Sequence, residues 1–198
     1  MYRYILRESC SQFDSLPLIS LTILARAAFD DLITHDWTQV EYWGGPAVGW
    51  TRDADLLLSN NLAMVSETTV TYDPVLSLWY SFRVVGGAYD PTGRLSALEL
   101  YTADAITDAR WSLRSGFYAV PAPWSNASYA CYAAKSHPAY ASAATAAATT
   151  VDVVLSWVCN EADGGFDLLF GQGSMKPGVR AYWPQLMRVT LARKTARA

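Results

Sequence analysis

Few side chains in this 198-residue chain have chemistry to offer, and they are scattered. The 2 histidines and 3 cysteines include no pair at metal-ligand spacing, so no metal site is expected from them. Glu67 stands alone in a hydroxyl-rich run, Ser66-Glu67-Thr68-Thr69. A carboxylate there could act as a general acid or accept a ligand hydroxyl; it could equally be a solvated charge at a strand end. His137 precedes Pro138, which would end a strand ladder. Its imidazole could donate to a ligand or help to hold an ion, or simply be a hydrogen-bonded structural group. Lys135 has the same side-chain parity as His137, so the two would face one way. Arg83 and Asn160 are further ligand-binding candidates on neighbouring segments. Asp73 and Asp90 fall in turn sequences and read as caps.

Composition narrows the classes of function. With 52% hydrophobic and 17% charged residues the chain is globular. A net charge of -3 gives no reason to expect a nucleic-acid partner, and the short basic run Arg193-Lys194-Thr195-Ala196-Arg197 does not alter that. No apolar run approaches the roughly 20 residues of a membrane helix, so no membrane partner is expected. The first ten residues lack the apolar centre and cleavage site of a signal peptide. An extracellular address for the full-length protein would therefore need a signal supplied by sequence ahead of this chain. Asn126-Ala127-Ser128 is a formal glycosylation sequon that would matter only in such a setting.

The elements that must position these residues are strands. Ser66 to Asp73, Leu78 to Gly86 and Val151 to Val158 alternate polar and apolar residues or are rich in β-branched ones. Asp73-Pro74-Val75-Leu76-Ser77 predicts a turn joining the first two as a hairpin. Asp90-Pro91-Thr92-Gly93 marks the next reversal, and Ala109 to Val120 a further strand. Four consecutive antiparallel strands are thus expected between Ser66 and Val120.

A duplication supports this frame. LTILARAAFDDLITHDW (Leu21 to Trp37) has the periodicity of an amphipathic helix when read alone. It aligns without a gap to LSALELYTADAITDARW (Leu95 to Trp111), matching Leu21 with Leu95, Leu24 with Leu98, Asp30 with Asp104 and Trp37 with Trp111. In both copies the reading becomes strand, Asp-bearing connection, and the Trp that opens a further strand. The aspartates then read as turn formers and the tryptophans as packing residues. A third, incomplete copy runs from Tyr132 to Arg193, and Thr51 to Ala63 is a long connection between repeats.

Tandem four-stranded meanders are β-propeller blades. The expected fold is all-β, with antiparallel four-stranded blades forming a partial β-propeller of about two and a half blades. A single domain over 1–198 would hold a half blade at 16–50, a full blade at 64–122 and a nearly complete one at 129–193. The alternative is an ordinary β-sandwich. In a propeller the first strand of each blade lines the central channel, which places Glu67, Lys135 and His137 there and puts Arg83 and Asn160 on second strands.

Ser66 to Tyr80 (SETTVTYDPVLSLWY), the Ala103 to Trp111 connection and the closing YWPQLMRVTL resemble the five-bladed propellers of glycoside-hydrolase type, which include arabinanase-like and levansucrase-like enzymes. The resemblance covers about Leu16 to Arg193 in short motifs. It implies a carbohydrate partner, no required cofactor, and a central ion such as calcium as an optional occupant. It also implies that the inner strands of the first three blades, which carry the family's catalytic carboxylates, are missing, with Glu67 the one acid left in a suitable position. Glycosidases use two carboxylates about 5–10 Å apart. The expected function is a carbohydrate-active propeller fragment related to glycoside hydrolases, lacking the full acid set and inactive as an isolated chain. Two alternatives stay open: a non-catalytic sugar-binding module, and a structural β-sandwich such as a viral coat-like protein. Open blade edges would favour self-association.

If Tyr132 to Tyr140 and Val151 to Val158 form a hairpin, Cys131 and Cys159 fall almost opposite each other. A disulfide between them is then expected in an oxidising compartment.

Overall fold

The computed structural model describes residues 2–9, 21–56, 58–60, 67–87, 94–108, 110–121, 129–142, 149–161 and 184–192. Asp90, the glycosylation sequon, Cys10 and the Arg193-to-Arg197 run lie outside them. The chain divides into two compact units. The first comprises Met1–Met64 with Ala105–Ser112, and the second Val65–Asp104 with Leu113–Ala198.

In the first unit, β1 (Tyr2–Ser9) pairs antiparallel with β2 (Leu21–Ala28) along its whole length. On the other edge of β2, β3 (Glu41–Trp43) pairs at Ala25 and Arg26, and β5 (Ser59–Asn60) at Thr22 and Ile23. β4 (Trp50–Thr51) continues the sheet beyond β3. Ala25, Ala27 and Val40 form the buried centre, with Leu32 and Tyr42 packed against it.

The second unit holds two sheets. β6 (Val70–Asp73), β7 (Leu78–Val85), β8 (Ala97–Ala103) and β9 (Ser112–Ala119) follow one another in the order of the chain, the four-stranded meander expected between Ser66 and Val120. β10 (Tyr129–Ser136), β11 (Thr150–Glu161) and β12 (Gln185–Ala192) make a three-stranded sheet. All three sheets of the chain are antiparallel in their registered pairs, and none is closed into a barrel.

One apolar core serves both sheets of this unit. Tyr80, Phe82 and Val84 of β7 and Leu98 of β8 meet Val151, Val153, Leu155 and Trp157 of β11. The strict alternation of β11, with odd positions buried and even ones half-exposed, follows from one face packing inward. Cys131 and Cys159 are directly opposed, with Cα atoms 4.0 Å apart, and form the expected disulfide within that core.

The duplicated segments agree through their strands and part company after them. Thr22 and Ser96 are both buried, as are Leu24 and Leu98. Beyond the strand, the earlier copy forms a short helix, α1 (Phe29–Ile33), whereas the later one makes only a bend and turn. Asp30 therefore lies in the first turn of α1 rather than in a plain connection. Trp111 is buried directly before β9, but Trp37 sits in a 3-10 turn with 60% of its surface exposed. Trp37 thus neither opens a strand nor packs inside. The 3-10 turn is fixed locally, because the Asp36 carboxylate accepts from the Thr38 amide and hydroxyl and so ends the approach to β3 on a cap.

The strand expected from Ser66 begins only at Val70. The cause lies in the threonines before it. The Thr68 hydroxyl is 2.5 Å from the Phe82 carbonyl and 3.0 Å from that of Ala134. Thr69 Oγ1 accepts from the Ser136 amide at 2.6 Å. These hydroxyls bond to β7 and β10, so residues 67 to 69 run as a bridge between sheets instead of a ladder.

Candidate functional site

The site is best built on the outward face of the β10–β11–β12 sheet. Even-numbered residues of β11 point outward, which places Ser156, Val158 and Asn160 there. β10 carries a bulge: Tyr132 pairs with Val158 and Lys135 with Ser156, so two residues, Ala133 and Ala134, stand opposite Trp157 alone. Ala133 absorbs the extra residue in a left-handed conformation, φ 55°. The bulge shifts side-chain parity, so Tyr132 before it and Lys135 and His137 after it share one face.

Three residues singled out in the sequence therefore lie on one face, Lys135 and His137 around Ser156 and Asn160 further along β11. His137 Nε2 lies 2.7 Å from Ser156 Oγ. Lys135 stands across from the same serine. Asn160 donates from Nδ2 to the Tyr132 hydroxyl at 2.6 Å. On the adjoining strand, Thr190 donates to Asp152 at 2.7 Å, and the exposed Arg188 reaches the same carboxylate at 3.9 Å. The His137–Ser156 pair has the outline of a nucleophile and its base. Among the described residues, no carboxylate bonds the other imidazole nitrogen to complete a triad. What the face does offer is a row of hydrogen-bonding groups at strand spacing.

Glu67 and Arg83 lie elsewhere. Glu67 is exposed at the start of the bridge that leads to β6, not on a strand. Arg83 is on β7, a second strand as expected, and its guanidinium is held by the buried Glu99, with Nε at 2.9 Å and Nη2 at 2.8 Å. It also covers the ring of Tyr101 at 4.5 Å, and the Tyr101 hydroxyl donates to the same carboxylate at 3.2 Å. Arg94 approaches the second oxygen of Glu99 at 3.5 Å. Burial above all raises the Tyr101 phenol pKa above its ordinary value, with the Glu99 charge acting in the same direction.

The sequence reading missed Ser156 and Tyr132, although alternation through VDVVLSWV places Ser156 on the same face as Asn160. It also missed a cluster in the first unit. Arg26 pairs with Glu41 at 2.8 Å and lies over the ring of Trp50 at 4.3 Å, while Trp43 and Trp50 make a tilted pair at 5.4 Å. No motif announces this cluster, because its members become neighbours only through the registers of β2 with β3 and β3 with β4.

The carboxylates of the second unit are largely committed. Asp73 caps its turn by accepting from the Val75 and Leu76 amides, as expected, and Glu99 holds Arg83. Among the described residues no three His, Cys, Asp or Glu side chains converge. Comparison with family models, curated proteins and solved structures returned no match.

Proposed function

We propose that the chain is a carbohydrate-binding β-domain without the carboxylate pair of a glycosidase. The observation that carries this reading is the outward face of the third sheet, where Lys135, His137, Ser156, Tyr132 and Asn160 present donors and acceptors on a strand-paired surface. Such a face matches the regularly spaced hydroxyls of a sugar chain, which bind through many modest hydrogen bonds. Of the described acids in the same unit, Asp73 already serves a turn cap and Glu99 two arginines, which leaves Glu67 without these two as catalytic partners. The propeller form of the reading draws support from β6 and β10, the first strands of their sheets. They are stitched together where Thr69 Oγ1 and Thr71 Oγ1 each lie 2.8 Å from Ser136 Oγ.

The test pairs binding with turnover. Titration of the pure protein with arabinan, fructan and xylan oligosaccharides should give saturable binding to at least one, with no reducing ends released. Turnover that disappears in Glu67→Gln would return the chain to the glycosidases. A second reading, a structural coat-like sandwich, is favoured by the single core that unites the two sheets of the second unit. It predicts large symmetric particles on light scattering and no glycan binding.

A further inference from the structure

The geometry points to an anionic sugar, one bearing a carboxylate or sulfate, as the ligand of the third sheet's outward face; this inference rests on the carbohydrate-binding reading and names the chemistry of the ligand. The face is laid out in cross-strand rows. Lys135, Ser156 and Leu186 form one row, and His137, Val154 and Arg188 the next, since Val154 is paired with Arg188 and the His137 amide donates to the Val154 carbonyl at 2.9 Å. Adjacent strands are about 4.8 Å apart and successive same-face rows about 7 Å, so Lys135 and His137 flank Ser156 within reach of one small charged group, while Arg188 adds a cation one row on, its guanidinium on the Asp152 side.

The charges on this face favour an anion. Lys135 has no ion-pair partner among the described residues. Arg188 has only the distant Asp152 contact at 3.9 Å, and Asp152 already accepts from Thr190. Among the described residues Asp152 is the one carboxylate at this end of the face, against two cationic side chains and an imidazole. The surplus is local, because the chain as a whole carries a net charge of -3. A neutral sugar would leave Lys135 uncompensated, whereas a carboxylate or sulfate would accept from it in a charge-assisted bond.

His137 acts as a positioning residue. Ser156 has one hydroxyl hydrogen and two lone pairs. When His137 donates from Nε2 to Ser156 Oγ, that hydrogen is free to turn outward to the anion, so the imidazole converts the serine into a donor. Half-burial of both residues keeps the pair formed without closing it off from a ligand.

The experiment is isothermal titration of the full chain with three probes: a galacturonate hexasaccharide, a heparin-derived hexasaccharide and the neutral xylohexaose. At least one acidic probe should bind at least tenfold more tightly than xylohexaose, with affinity falling as salt rises from about 0.05 to 0.5 M. The two acidic arms separate carboxylate from sulfate recognition. Lys135→Ala should weaken acidic binding about tenfold and neutral binding much less, so that the preference over xylohexaose collapses. His137→Leu should weaken it as well, and His137→Gln, whose amide can still donate to Ser156, should restore most of it. Equal, salt-insensitive binding of all three probes that is indifferent to Lys135→Ala would overturn the inference and leave the carbohydrate-binding reading standing. No binding by any probe would overturn both.

Discussion

At the scale of single residues, the clearest tension lies in the hydroxyl cluster between the two sheets of the second unit. Tyr80 is 1% exposed and shares hydrogen bonds with Thr71 and Ser136. Burial raises its phenol pKa above the ordinary 10.0, the negative charge of Asp73 adds to the rise, and the hydroxyl partners work against it. A folded-state pKa above the unfolded one means that the native state holds the proton longer. The stability tied to the neutral phenol is complete below about pH 10 and is lost as pH climbs through the folded-state value. Tyr80→Phe should therefore lose about 1 kcal/mol near pH 7 from the missing hydrogen bonds, yet show a shallower decline above pH 10. Urea midpoints between about pH 7 and pH 11 would check this, and parallel curves for the two proteins would refute it. Arg83 carries a complementary lesson. By type it was a ligand candidate, but Glu99 and Tyr101 hold it, and only the β7–β8 register, in which Arg83 faces Glu99, reveals that commitment.

At the scale of elements, the β10–β11 hairpin is held in two ways. The disulfide closes a sequence separation of 28 residues, and the bulge at Ala133 sets which side chains face out. Replacing Cys131 and Cys159 together by serine should cost about 3 kcal/mol, because the unfolded chain regains the closed loop's freedom and two polar groups enter the core. Denaturation of the wild type with and without reductant should differ by a similar amount, and the oxidised protein should titrate one free thiol. Three free thiols in material from the native source would remove the bridge. This hairpin was legible in the sequence because both its signals are local: β-branched alternation over Val151 to Val158, and cysteines that fall opposite when the strands are paired. The bulge was not legible, since Ala133 has no side-chain chemistry that announces a positive φ and adopts it only under the register imposed from both sides. Lys135 and His137 were correctly assigned to one face because parity survives beyond the bulge. Tyr132 escaped notice because parity does not survive across it. Glu67 was misplaced on a strand for another reason. Threonine-rich runs satisfy strand propensity, but their hydroxyls can also bond across sheets, and here that bonding displaces the ladder.

At the scale of the whole molecule, the chain does not partition by a single cut. The first unit takes Met1–Met64 and then Ala105–Ser112, a stretch lying in sequence between β8 and β9 of the second unit. That stretch is the later copy of the duplicated connection, and it holds Ile106 at 9% and Trp111 at 3% exposure. The two copies thus differ in use: the earlier one exposes its tryptophan, and the later one buries it. A fragment spanning 65–198 would keep every strand of the second and third sheets, yet strip Ile106 and Trp111 of the first unit's packing. Uncovering them forfeits about 1.5–3 kcal/mol of burial for the isoleucine alone, with the larger tryptophan adding to it. It also leaves an apolar patch prone to association. The fragment should aggregate or bind a hydrophobic dye, while the same fragment with residues 105 to 112 replaced by a Gly-Ser linker should stay monomeric with the disulfide formed. Light scattering on the two fragments decides the matter. If the unaltered fragment is monomeric and Trp111 resists acrylamide quenching there, the connection packs on its own sheets and the expectation fails.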